Sequence, residues 1–288
     1  MENFLQFLVN GLMVGGAYSL IALGLVLIFK ATSIFNFAVG QMLVIGAYVA
    51  VMFTNIGIPW WLAILLSIAI SGGMGALLER LTLRPLLGQP ILTCLMMTIA
   101  ISYFLSGIIT ALWKNLTYPM PHPFTGQINI GPLLINADLM VIFSVAMILS
   151  VALAFFMRRT EVGLDMQATA DNANVAQSVG VKVARVFSLT WVIGAGLAAL
   201  GGILLAMRLG ASSAIASTGL TVIPVVLLGG LESLLGAVIA GLIIGVSVNL
   251  VAGLLNPSLA TIVPFLILIL VIIIRPAGLF GLKSIERV

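Results

Sequence analysis

Residues Leu139–Met157, "LMVIFSVAMILSVALAFFM", run for nineteen positions without a charge, and Arg158–Arg185, "RRTEVGLDMQATADNANVAQSVGVKVAR", follow at once. A helix of nineteen residues is about 28 Å long, close to the ~30 Å hydrocarbon thickness of a bilayer. The twenty-eight residues after it carry seven of the chain's twenty charged side chains. One Asp or Arg at the centre of a span costs about 2.5–3.5 kcal/mol, so seven cost on the order of 20 kcal/mol. The first stretch crosses a membrane and the second stays in water.

The whole chain repeats the first of these patterns. Of 288 residues, 62% are hydrophobic and 7% charged, where a soluble domain is nearer 25% charged. Apolar spans fall near residues 4–29, 34–54, 60–78, 91–112, 139–157, 186–207, 219–250 (composite) and 259–274. Short alternating segments, the mark of a closed barrel, are missing. The reading is an all-α, polytopic transmembrane helical bundle of eight or nine spans, a single transmembrane domain over 1–288. "MENFLQFLVNGLMVGG" has no basic n-region or cleavage site and reads as a retained first span. Cys94 lies in an apolar run and reads as a buried, inert thiol.

The net charge of +4 is scattered over loops and span ends, which sets topology and does not suit nucleic acid. Lys30, Arg80, Arg84, the 158–185 segment and the tail (Arg275, Lys283, Arg287) then share the cytoplasmic side. The Pro- and Gly-rich connection 113–138 lies outside, with the N-terminus. Between Arg185 and Arg275 the number of crossings must be even. "LTVIPVVLLGGLESLLGAVIAGLIIGVSVNL" must then cross twice or not at all; it is read as crossing twice, broken at Pro224 and Gly229–Gly230 into a short arm and a full-length helix. Small residues four apart, Gly11/Gly15, Gly241/Gly245 and Ala198/Gly202, mark close helix packing.

Span centres hold no formal charge, which disfavours ion coupling through a buried carboxylate. His122, the only histidine, sits between prolines in the outer loop and reads as solvated; no metal or catalytic residue is expected. No G-x-x-x-x-G-K-[ST] phosphate loop occurs. If transport is energised, a cytosolic partner supplies the energy and needs a docking surface. Gly163 and Gly180 bracket a proline-free segment in which Leu164, Ala168, Val175 and Val179 fall near one helical face, with Ala173 and Ala176 beside it. Such a helix either enters a partner's groove or lies on its own bundle.

Four stretches resemble the permeases of ATP-binding-cassette importers for branched-chain amino acids. "NGLMVGGAYSLIALGLVLIFKATSIFNFAVGQM" is similar to that family's opening and second span, "ERLTLRPLLG" to its third-span exit and "RPAGLFG" to its ending. Gly163, Ala168, Asn172, Ala176 and Gly180 match its cytoplasmic coupling helix, with Gln167 where arginine is common. The resemblance implies a second, homologous permease subunit, two ATPase subunits and an outer substrate-binding protein, in a bacterial inner membrane. ATP would be used by the ATPases and no cofactor bound by this chain. It makes Gly163, Gln167, Ala168, Asn172, Ala173, Ala176 and Gly180 the coupling residues. Asn36, Gln41, Thr98 and Ser102 are candidate path residues, although an interhelical hydrogen bond is the simpler role for any one of them. Many members have histidine and glutamate where this chain has Val39 and Gln41, which widens the expected substrates to amides, urea and small carboxylates. The competing readings are a stand-alone passive channel and an ion-coupled carrier.

Overall fold

The computed structural model describes residues 2–86, 89–131 and 133–281. Lys283, Glu286 and Arg287 of the tail, and Leu87 and Gly88 of "ERLTLRPLLG", lie outside them. In chain order the helices are α1 (Glu2–Thr32), α2 (Val39–Asn55), α3 (Trp60–Leu78), α4 (Ile91–Trp113), α5 (Ala137–Arg159), α6 (Glu161–Asp171), α7 (Ala173–Ser178), α8 (Val183–Leu209), α9 (Ala216–Gly229), α10 (Leu234–Leu254), α11 (Pro257–Ala260) and α12 (Val263–Ile274). Two strands, β1 (Gln127–Ile130) and β2 (Leu133–Asn136), pair antiparallel with Gln127 opposite Asn136. Six helices are long and apolar enough to span a membrane, and three shorter apolar ones cover 39–55, 213–229 and 263–274.

Helices apolar all round are buried, and α1 and α8 behave so: 72% of the spanning window of each is buried, against 22% for α4 and α5. α2 lies in the same interior, with every residue from Val39 to Val51 buried except Gln41. Small-residue pairs set the contacts. Gly11 and Gly15 face Gly245 and Gly241: a Cβ on Gly15 would stand 2.9 Å from the Gly241 carbonyl oxygen, and one on Gly11 2.7 Å from Val246 Cα. Ser19 closes this seam, its hydroxyl reaching the Gly15 and Val238 carbonyls at 2.8 and 2.9 Å. Gly202 rests on the α2 backbone at Leu43, and Gly46 on Ala199 of α8.

The composite C-terminal region divides differently from the sequence reading. Pro224 sits inside an uninterrupted α9, where it removes one rung of the helix, the bond to the Leu220 carbonyl. The break falls at Gly230, which takes φ +101°. "RPAGLFG" then supplies what the end of α9 lacks: the Leu279 and Phe280 amides donate to the Leu228 and Gly229 carbonyls at 2.8 and 3.2 Å.

Contacts sort the helix ends into two groups. At one end the Gln6 side-chain amide pairs with both backbone groups of Leu134 (2.6 and 2.9 Å), and Tyr118 bridges to Ala211. His122 is part-buried rather than solvated, its Nε2 3.0 Å from the Met207 carbonyl at the end of α8. We call this the strand end. At the other, Lys30 and Arg158 line one cleft with Glu232, Arg84 bonds Ala184, and Arg185 lines a second cleft with Glu161. We call this the basic end.

Candidate functional site

The polar segment after α5 is built as two helices at the basic end. Thr160 caps α6, its Oγ1 accepting from the Gly163 amide at 3.0 Å. Gly163 presses on the last turn of α5, where a Cβ would lie 2.6 Å from Met157 Cα. The Gln167 side-chain amide donates to the Met157 carbonyl, satisfying one of the orphan acceptors at the end of α5. Asn172 then leaves the helical region (φ −162°, ψ 106°) and its Oδ1 accepts from the Asn174 and Val175 amides at 3.0 and 3.1 Å. A residue that caps cannot also continue the helix, so the single helix expected over 163–180 becomes α6 and α7 with an elbow at Asn172. Gly180, at φ +97°, ends α7 in the left-handed region that favours glycine.

Two expectations for this segment change. Ala176 is 2% exposed and turned toward the bundle, so it does not belong to an outward surface. Gln167 is likewise spent on α5. Leu164 (54% exposed), Val175 (57%), Val179 (75%) and Ala168 remain uncovered, and Ala173 is half-buried. Beside Val179 opens a cleft of about 470 Å³ edged by Glu161, Asp165, Lys182 and Arg185.

Next to this segment lies an ion pair the sequence reading missed. Glu79 is 2% exposed, and Arg84 grips it with Nε and Nη2 at 3.1 and 3.0 Å. Ser188 of α8 donates to the same carboxylate at 2.6 Å, and Arg84 reaches Ser188 Oγ (2.8 Å) and the Ala184 carbonyl (3.1 Å). The spacing of five concealed the pair, because α-helical neighbours are three or four apart. Glu79–Leu83 form a π turn, whose i→i+5 spacing brings such residues together. The clamp ties the exit of α3 to the start of α8, directly after α7.

The candidate path residues fall into two kinds. Asn36 is 1% exposed; its Oδ1 accepts from the Ala38 amide at 2.9 Å and its Nδ2 lies 3.5 Å from Met42 Sδ. Thr98 is fully buried, with its Oγ1 3.4 Å from the Phe37 amide and 2.9 and 3.1 Å from the Leu95 and Phe35 carbonyls. Both fix the turn that leads into α2. Gln41 and Ser102 are half-buried. Val39 is buried, its Cγ1 within 3.4 Å of where a Gly219 Cβ would be, at a crossing where α2 and α9 meet through Gly40 and Gly219. Cys94 is buried. Among the described residues no three His, Cys, Asp or Glu side chains cluster as metal ligands do.

A family described as branched-chain amino acid transport system / permease component matches residues 7–272. The chain belongs to this family. Over a 301-residue alignment it is 32% identical to the high-affinity branched-chain amino acid transport system permease protein LivH of Salmonella typhimurium, covering 99% of this chain and 98% of that one. It is 30% identical to BraD of Pseudomonas aeruginosa, with the same coverage, and 27% identical to a probable LivH of Methanocaldococcus jannaschii over 93% and 90% of the two chains. Among solved structures it shares a fold with PsaBC from Streptococcus pneumoniae in complex with Fab, at TM-score 0.51 and 13% identity over 96% of this chain and 92% of that one.

Proposed function

We propose that this chain is the permease subunit of an ATP-binding-cassette importer that carries branched-chain amino acids or related small amphipathic solutes. Its assembly holds a second, homologous permease, two ATPase subunits and an outer substrate-binding protein. The basic end faces the cytosol, as cytoplasmic loops carry the excess of Lys and Arg; the N-terminus is outside and the C-terminus inside. The ATPases bind and hydrolyse ATP, and this chain converts their closure into movement of its helices.

One observation carries the reading: a capped, glycine-anchored α6–α7 pair leaves Leu164, Val175 and Val179 uncovered at the basic end. An apolar helix face meeting a groove is a recurrent mode of protein recognition. The mixed-charge cleft beside Val179 would receive polar side chains of the same ATPase. The Glu79–Arg84–Ser188 clamp carries motion from this region into α3, since a bidentate pair on a buried carboxylate resists separation. Gln41 and Ser102 offer weakly polar contacts to a passing solute, while Asn36 and Thr98 hold the α2 turn in place.

The test is reconstitution of the complete complex in liposomes. Leucine or valine, presented by the binding protein, should stimulate ATP hydrolysis and accumulate inside. Uptake by the purified chain alone, without ATP or partners, would support a passive channel instead.

A further inference from the structure

A second cleft, of about 500 Å³, opens at the basic end between α5 and α10 with α1 as its floor. Its deep walls are apolar: Met147, Val151 and Ala154 of α5 face Val238 and Ile239 of α10. Its outer rim is charged, with Lys30, Arg158 and Glu232. Eleven residues separate Met147 from Arg158, about 16 Å of helix. That is roughly half of a ~30 Å hydrocarbon core, so the cleft runs from one membrane surface to near the midplane. It is one leaflet deep.

Lys30 and Arg158 are not ion-paired among the described residues, where Glu79–Arg84 is the salt bridge. Gln167 also lines the rim, but its amide is spent on the Met157 carbonyl. Two free cations beside one free carboxylate complement a headgroup that bears a phosphate and, a few atoms away, a protonated amine. Basic pockets between membrane helices hold lipid headgroups by this attraction, and the apolar wall beneath matches an acyl chain.

We propose that this cleft is a binding site for one ethanolamine glycerophospholipid of the inner leaflet. Lys30 and Arg158 hold the phosphate, Glu232 accepts from the ammonium, and one acyl chain lies along Met147, Val151 and Val238. A headgroup without the amine, as in phosphatidylglycerol with its one phosphate or cardiolipin with two, leaves Glu232 facing no cation. A choline headgroup has no N–H to donate to it.

Native mass spectrometry of the delipidated full chain tests the site, with dioleoyl phosphatidylethanolamine, phosphatidylglycerol and phosphatidylcholine added separately. The expected result is one ethanolamine lipid retained per chain at concentrations where the other two wash off. Replacing both Lys30 and Arg158 with Ala lowers its retention about tenfold or more. Glu232→Gln removes the preference over phosphatidylglycerol. Ala154→Trp fills the groove and abolishes retention while helical circular dichroism and the unfolding midpoint stay unchanged. Equal retention of all three lipids, or full retention by the Ala154→Trp or double-alanine chain, would overturn the proposal. So would efficient disulfide trapping of an Ala154→Cys chain to the second permease in the assembled transporter, since the cleft would then be an interface between subunits.

Discussion

The α1–α10 seam and the α6–α7 pair use the same small residues to opposite ends. Along the seam Gly11, Gly15, Gly241 and Gly245 bring two backbones together so closely that no side chain could enter. In the α6–α7 pair Gly163 also brings backbone to backbone, against the end of α5. There the contact fixes one side of a structure whose other side is left open, with Leu164, Val175 and Val179 bare. The seam is complete within the chain. The pair is anchored on one side only. Uncovered apolar residues on α4 or α12 face hydrocarbon without cost; on a segment that carries seven charges they face water.

Substitutions separate the two regions by what they break. The largest effect belongs to the seam: Gly15→Leu must drive α1 from α10, and overpacking of a backbone contact should cost more than about 4 kcal/mol. Size-exclusion chromatography of the detergent-solubilised protein should show no folded peak. Next is the clamp beside the α6–α7 pair. Arg84→Ala leaves the buried Glu79 carboxylate with no counter-ion and Ser188 as its remaining donor, at a cost of about 3 kcal/mol, read as a lowered midpoint in detergent unfolding. The joint replacement of Glu79 and Arg84 by Leu and Met should cost clearly less than Arg84→Ala, because no charge is then left alone. A smaller loss, about 1 kcal/mol each, is expected for Gln167→Ala and Asn172→Ala, which remove one cap from α5 and one from α7. If Asn172→Ala costs nothing, the elbow is not held by its side chain.

Much of this division can be read in the sequence and some of it cannot. The charge density of 158–185 against 139–157 places one segment in water and the other in lipid on transfer energies alone. The four-residue spacing of glycines marked both halves of the seam, although not that Gly11/Gly15 and Gly241/Gly245 face each other, since pairing depends on tertiary placement. Asn172 was legible as a position of the coupling pattern but not as an elbow. Its neighbours have ordinary helix propensity, and a cap shows itself only through the amides it accepts from. Ala176 illustrates a further limit: a small residue suits an outward docking face and a close inward contact equally well, and only burial separates them. The clamp escaped because a five-residue spacing has no meaning in an α-helix and acquires one only in the π turn at Glu79–Leu83. Pro224 read as a break because the rule concerns the helix alone, whereas α9 loses one bond there and is held by the packing around it.

The smallest expected effect on stability comes with the largest on function, and it bears directly on the claim that α6–α7 is the surface through which ATP drives this permease. The measurement is substrate-stimulated ATP hydrolysis by the reconstituted complex carrying Leu164→Glu and Val175→Glu together. Both side chains are exposed, so the unfolding midpoint should stay within about 0.5 kcal/mol of the parent, and stimulation should fall to the level seen without substrate. Full stimulation in the doubly charged variant would show that the ATPase does not rest on these residues and would contradict the account.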